Sequence, residues 1–215
     1  MDSAPVIQEA VKVLREGGVI LYPTDTVWGI GCDATDEKAV SRVFEIKRRS
    51  EAKSLVLLAC DLDMVAKYVK TIPSIAIDLV EVNDAPMTII YPGAQYLAPN
   101  AVAEDGSVGI RIPIDLPDGS DHPSSAGPNG GSPASGRLTA GAFCRELVRR
   151  LRRPLVSTSA NISGEPTPAS FAEIPEEIKA AVDYVVPKPF GYGATGRSSQ
   201  IIKLGLGGEV EILRP

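Results

Sequence analysis

The chain reads as a single α/β domain, and three observations carry that reading. Apolar runs of strand length alternate with amphipathic helical stretches from one end to the other. Its 215 residues suit one generous core, with no internal repeat and no linker that divides them. Its 44% apolar and 23% charged residues match an ordinary globular domain.

Ile7, Ala10, Val11 and Leu14 recur at helical spacing, with Ser3 as the expected cap, Pro5 in the first turn and Gly17-Gly18 as the stop. Val19 to Tyr22 predicts a short buried strand, and Pro23 to Asp33 a polar turn. A second helix is predicted from about Thr35 to Arg49, with Val40, Val43 and Phe44 inward. Ser54 to Ala59 reads as a strand, Asp61 to Val69 as a helix and Ile75–Val82 as helical. Strands are expected near Met87–Tyr91 and Ser107–Ile112, then a helix from Thr139 to Arg152 and a strand at Pro154-Leu155-Val156. The remainder predicts a helix near Pro168–Val182 and strands near Ser199–Leu204 and Glu209–Leu213. Residues 115–137 differ in kind. Fourteen of these 23 are Gly, Pro or Ser, which reads first as a mobile insertion into the 1–215 domain and second as a functional flap.

Several function classes drop out early. No apolar run approaches the ~20 residues of a membrane span, and the N-terminus lacks a signal-peptide pattern. Cys32, Cys60 and Cys144 are few, odd in number and without CxxC spacing. They argue against a disulfide framework or a zinc site and fit a reducing cytoplasm. The single histidine, His122, argues against a His-based triad or a multi-His metal site. A net charge of −5 argues against coating nucleic acid by bulk electrostatics, so any polyanion site must be local.

Polar groups stand at the ends of apolar strands in four places: Pro23-Thr24-Asp25-Thr26, Ser107 to Arg111, Ser157 to Asn161, and Ser198-Ser199. Ligands of α/β sheets collect at such ends. Basic residues from Lys47 to Lys53 suit a helix end through its dipole, but they continue past it directly into a strand, which points to a phosphate or carboxylate partner. Arg111 sits inside the apolar run Gly109-Ile110-Arg111-Ile112-Pro113, where an unpaired charge is costly. It needs either a protein carboxylate or an anionic ligand. Arg145, Arg149, Arg150, Arg152 and Arg153 read first as a solvated helix end, with RNA contact the second reading. No Walker loop occurs, and Gly191-Tyr192-Gly193-Ala194-Thr195-Gly196 matches GxGxxG without the strand and helix that motif requires. Composition and spacing stop at an anion-binding α/β domain with a polar cleft.

The motifs themselves go further. "YPTDTVWGIGCDA", "KRRSEAKSL", "SVGIRIP", "STSANISGEPTP" and "GRSSQIIKL…EILRP" occur in the order of the YrdC/Sua5 family of threonylcarbamoyl-AMP synthases, which the chain resembles from about Gly17 to its last residue. The resemblance implies one twisted open mixed sheet flanked by helices, with a large concave electropositive cavity. It implies that L-threonine, bicarbonate and ATP, with Mg²⁺, give threonylcarbamoyl-adenylate and pyrophosphate, without a tightly bound prosthetic group. The product would serve tRNA threonylcarbamoyladenosine formation through tRNA-modifying transfer proteins, and tRNA or double-stranded RNA would be a further partner. Catalytic roles fall on Lys47 and Arg49. The family's ATP contacts fall on Arg49, Lys53, Ser107, Asn161 and Arg214. Its threonine contacts fall on Thr26, Arg111, Ser159 and Ser199.

The sequence also departs from the family. Trp28 replaces a tyrosine, Leu58 a histidine, Asn83-Asp84-Ala85 a W-P-G, Ser50 a proline, and Ala169 a hydroxyl residue adjacent to Ser170. The expected form is the short one, without the C-terminal domain of the longer Sua5 type. Two competing readings are an RNA- or nucleotide-binding module without synthase activity, and a relative of a hydrogenase-maturation carbamoyltransferase.

Overall fold

The computed structural model describes residues 2–50, 55–115, 138–190 and 193–215. Among the described residues, nine strands form one mixed sheet. In chain order they are β1 (Ile20–Tyr22), β2 (Gly29–Gly31), β3 (Val56–Leu58), β4 (Met87–Tyr91), β5 (Val108–Arg111), β6 (Leu155–Ser159), β7 (Tyr184–Val185), β8 (Gln200–Leu204) and β9 (Val210–Arg214). Across the sheet they run β7-β1-β2-β6-β3-β5-β4-β8-β9. Pairings β1/β7, β3/β5 and β4/β8 are parallel and the rest antiparallel. The α-helices among the described residues are α1 (Ser3–Arg15), α2 (Glu37–Lys47), α3 (Leu62–Tyr68), α4 (Ser74–Glu81), α5 (Ala140–Leu151) and α6 (Glu176–Ala181).

Helices α1, α2, α3 and α5 begin where a side chain takes up free first-turn amides, whereas α4 and α6 follow Pro73 and Pro175 without such a cap. Asp36, Asp61 and Thr139 cap α2, α3 and α5. Helix α1 is capped by Asp2, whose carboxylate accepts from Ala4 N at 3.0 Å. Ser3, the expected cap, is already the first helical residue. Helices α1 and α5 pack on each other, and Leu14, Phe143, Leu147 and Val148 are fully buried in one core with the central strands.

Three local expectations change. Gly29-Ile30-Gly31 lies in the predicted polar turn, yet forms β2 and joins β1 to β6. The strand before the Ser/Thr run extends through it, because Ser157 and Thr158 complete ladders to β3 and β2. The single helix expected over Pro168–Val182 is a 3₁₀ turn at Phe171–Glu173 followed by the six-residue α6. Pro175 explains the break: it lacks an N–H and forces the preceding Ile174 into extended backbone, at φ −64° and ψ 127°. Of the expected insertion, only Asp115 falls among the described residues; His122 lies outside them.

Candidate functional site

Alternating residues sort the sheet into two faces. On β4 and β5, Thr88, Ile90, Gly109 and Arg111 face one way, while Met87, Ile89, Tyr91 and Ile110 line a cavity of about 650 Å³ on the other. That larger cavity collects the Asn83-Asp84 departure but none of the expected site residues. A second cavity, of about 250 Å³, opens on the first face. Thr26, Arg49, Arg111, Ser159, Ser199 and Arg214 line it, drawn from five separate motifs. The converging chemistry, rather than volume, makes this the candidate functional site.

Its hydroxyls are oriented by a chain of hydrogen bonds. Thr24 Oγ1 donates to the Val27 carbonyl at 2.7 Å, so its contact with Thr26 Oγ1 at 2.8 Å must be donated by Thr26. Thr26 therefore presents oxygen lone pairs to the cavity. Ser159 is oriented in the same sense, donating to Asn161 Oδ1 at 2.5 Å. Ser199 Oγ meets Thr88 Oγ1 at 2.8 Å. Two acceptor hydroxyls, the Ser199 hydroxyl and three arginines stand on a wall on which no carboxylate lies among the described residues.

The arginines reach the cavity by different routes. Arg48 ends α2 in left-handed backbone (φ 50°) and points outward to Glu177 at 2.6 Å. Its neighbours thereby diverge, Lys47 into the interior and Arg49 onto the cavity wall, which is why the motif spaces the pair by one residue. Burial lowers the Arg49 pKa. Arg214 enters from the sheet edge through a β-bulge. Ile202 pairs with Ile212 but Ile201 with Arg214, so Leu213 is the extra residue and Arg214 takes the position opposite Ile201. Arg214 Nε donates to the Ser199 carbonyl at 2.7 Å, and burial followed by the charge of Arg111 lowers its pKa.

Arg111 takes the protein-carboxylate option that the sequence left open. It forms a buried ion pair with Asp25, which is fully enclosed and whose other oxygen accepts from Ile114 N at 3.1 Å. Asp25 is the residue that motif reading passed over. Its signal was present: a carboxylate in a strand-end turn, in a chain that also needs an anion for a strand arginine. The carbonyls of Asp25 and Thr26 further accept the N–H groups of Thr195 and Gly196 at 2.9 and 2.8 Å. The GxGxxG-like segment thus docks on the Pro-Thr-Asp-Thr turn, although Gly191 and Tyr192 lie outside the described residues.

The remaining predicted residues fall in three places. Ser107 lines an adjoining recess of about 120 Å³ with Leu55, Thr88, Ile90, Gly109 and Ile201, and donates to Asp105 at 2.5 Å. Lys47 and Asn161 are buried behind the Ser159 loop and off the cavity wall. Lys53 lies outside the described residues. Among the departures, Leu58 is fully buried and in register with Arg111, and Ala169 is exposed. Four arginines of the basic helix end are ion-paired: Arg149 and Arg150 to Glu146, Arg153 to Asp33, and Arg145 to Asp115. Among the described residues no helix is long and apolar enough to cross a membrane, and no group of three or more His, Cys, Asp or Glu could hold a metal.

An open mixed α/β sheet with three arginines and oriented hydroxyls converging on one small cavity is the arrangement of a ligand-pocket domain whose lining suits anions. The family model for Sua5, YciO and YrdC, described as "Telomere recombination", matches residues 12–115 and 124–215, and the chain belongs to that family. It is 32% identical over 174 residues to a threonylcarbamoyl-AMP synthase of Chromohalobacter salexigens, covering 80% of each chain. To the threonylcarbamoyl-AMP synthase of Xanthomonas euvesicatoria it is 33% identical over 197 residues, covering 90% of this chain and 89% of that one. The crystal structure of P. abyssi Sua5 complexed with L-threonine superposes with a TM-score of 0.72 at 25% identity. That match covers 95% of this chain and 52% of the longer Sua5 chain.

Proposed function

We propose that the protein is an L-threonylcarbamoyladenylate synthase, an ATP-dependent adenylate-forming transferase that releases pyrophosphate. The observation that carries this reading is the convergence of Arg49, Arg111 and Arg214 with Thr26, Ser159 and Ser199 on one cavity, in a chain about one-third identical to enzymes named for that product. ATP and bicarbonate are anions and threonine carries a carboxylate, and a cavity wall of three arginines, one of them backed by Asp25, suits all three.

The reaction needs no protein nucleophile. A neutral threonine amine adds to CO₂, in equilibrium with bicarbonate, and loses a proton to give a carbamate. The carbamate oxygen attacks the α-phosphorus of ATP, the bond to the bridging oxygen breaks, and pyrophosphate leaves. Catalysis then rests on placing two anions in contact and stabilising the charge that gathers on the phosphates. Arg111, held on one side by Asp25, offers its guanidinium to the threonine carboxylate. Thr26 and Ser159 offer lone pairs to the amine and hydroxyl. Arg49 and Arg214 face the phosphates, Arg49 being the group on which rate depends. The apolar recess beside Ser107 takes the base. Lys53 is a further phosphate contact by family position alone. Mg²⁺ enters on the ATP phosphates, in keeping with a cavity wall that is cationic rather than carboxylate-lined. The product's labile mixed anhydride calls for direct transfer to tRNA-modifying proteins in the cytoplasm.

The test is chemical. Labelled bicarbonate, L-threonine and MgATP are incubated with the enzyme, and the products are resolved by mass. Label in a threonine-containing adenylate supports the reading; ADP, or AMP without that adduct, counts against it.

A further inference from the structure

We infer that Lys47 and Asn161 form one positioning brace behind the loop after β6, holding Ser159 toward the cavity, and that neither side chain touches substrate. The inference deepens the proposed function, because the identity of the ligand at Ser159 rests on that reading.

The argument is one of hydrogen-bond capacity. Lys47 is 2% exposed at the last turn of α2. Its ammonium has three hydrogens and meets three acceptors: the carbonyls of Ser159 and Asn161, the latter at 2.7 Å, and Asn161 Oδ1 at 3.4 Å. None remains for a phosphate. Asn161 is 7% exposed and equally committed. Its Oδ1 accepts from Ser159 Oγ at 2.5 Å and from Lys47, while Nδ2 donates to the carbonyls of Ile162 at 3.2 Å and Glu165 at 2.7 Å. Both side chains are thus saturated within the loop, and neither lies on the cavity wall, whereas Ser159 does.

Lys47 also holds the loop from its own backbone, since its carbonyl accepts Ser163 N–H at 2.8 Å. The end of α2 therefore grips the loop on both sides of Asn161. Oriented carbonyl dipoles compensate the buried ammonium in place of a carboxylate. Burial and then the charge of Arg49 draw its pKa down to about 8, as expected of an enclosed lysine rather than one awaiting phosphate in solvent. The consequence reaches the cavity through one bond. By absorbing the Ser159 hydroxyl hydrogen, Asn161 leaves that oxygen as an acceptor, suited to a ligand N–H or O–H.

Lys47→Met and Asn161→Ala separate a brace from a direct ATP contact. A brace acts through Ser159, so each variant should raise the KM for threonine about tenfold, the worth of one well-placed hydrogen bond, with the ATP Kd within about threefold of wild type. The double variant should be no worse than the more damaged single one, because both break one unit. Hydrogen exchange supplies a readout independent of activity: amides 159–163 should lose protection in Lys47→Met while those of β4 and β5 keep theirs. Should Lys47→Met fail to fold, Asn161→Ala carries the same two readouts. An ATP Kd more than about tenfold weaker with threonine KM unchanged would overturn the brace, as would unchanged exchange at 159–163. Loss of protection in an enzyme that makes no adenylate would keep the brace and sink the synthase reading.

Discussion

Asp25→Asn is the perturbation with the most to say about how this cavity is built. Arg111 is 4% exposed and Asp25 fully enclosed, so the pair has almost no water to fall back on. Asparagine keeps the shape but removes the charge, and it offers one oxygen where two are now used, by Arg111 and by Ile114 N–H. Breaking a buried pair from one side costs ~3–5 kcal/mol, because the surviving charge stays buried. In a domain of this size each kcal/mol moves the midpoint ~2–4 °C, so Tm should fall by roughly 6–20 °C. Urea denaturation of wild type, Asp25→Asn, Arg111→Met and the double variant measures the pair directly. The double variant should recover at least half of the single loss, since removing both charges removes the orphan. A single-variant loss under ~1 kcal/mol, or a double-variant loss equal to the sum of the singles, would refute the reasoning.

Two further outcomes follow from named groups. Gly109 keeps the recess beside Ser107 open, and a Cβ there would lie 3.4 Å from Thr88 Cγ2, in ordinary contact. Gly109→Val should therefore fold, fill the recess and weaken ATP about tenfold or more while sparing threonine, as equilibrium titration of each ligand would show. The pH dependence of Lys47 has a definite sign. The unfolded chain holds this proton to near 10.5, while the folded chain releases it near 8, so between those values the unfolded state binds more protons. Wild-type stability relative to Lys47→Met should rise from pH 8 to pH 10; a flat or falling difference in denaturation midpoints would contradict the depressed value.

Much of the fold was legible because burial writes itself into periodicity. Met87–Tyr91 is a strand over the same residues in sequence and structure, and α5 differs from its predicted span by one residue at each end. The unread parts share a cause: the deciding partner is remote. Gly29-Ile30-Gly31 has two glycines in three residues, and only its neighbours β1 and β6 make it a strand. The bulge depends on register with β8: the alternation of Val210-Glu211-Ile212 breaks at Leu213, but that break alone does not tell that Arg214 comes to lie opposite Ile201. At the site, the sequence named the residue types that gather on the cavity, Arg49, Arg111, Ser159, Ser199 and Arg214 among them. It could not tell which way an amide is spent. Asn161 and Lys47 stand in the motif beside Ser159 and Arg49, and hydrogen-bond geometry alone separates those facing the cavity from those behind it. Asp25 shows the converse, a residue in plain view whose role appears only once Arg111 is seen beside it.

The central claim is most directly tested by pyrophosphate release from MgATP and bicarbonate, with L-threonine, with L-serine and with neither. The account predicts release that depends on threonine, falls with serine, and is lost in Arg111→Gln while Arg145→Gln, on the opposite side of the sheet, retains it. Release indifferent to the amino acid, or none from protein that binds ATP, would contradict it.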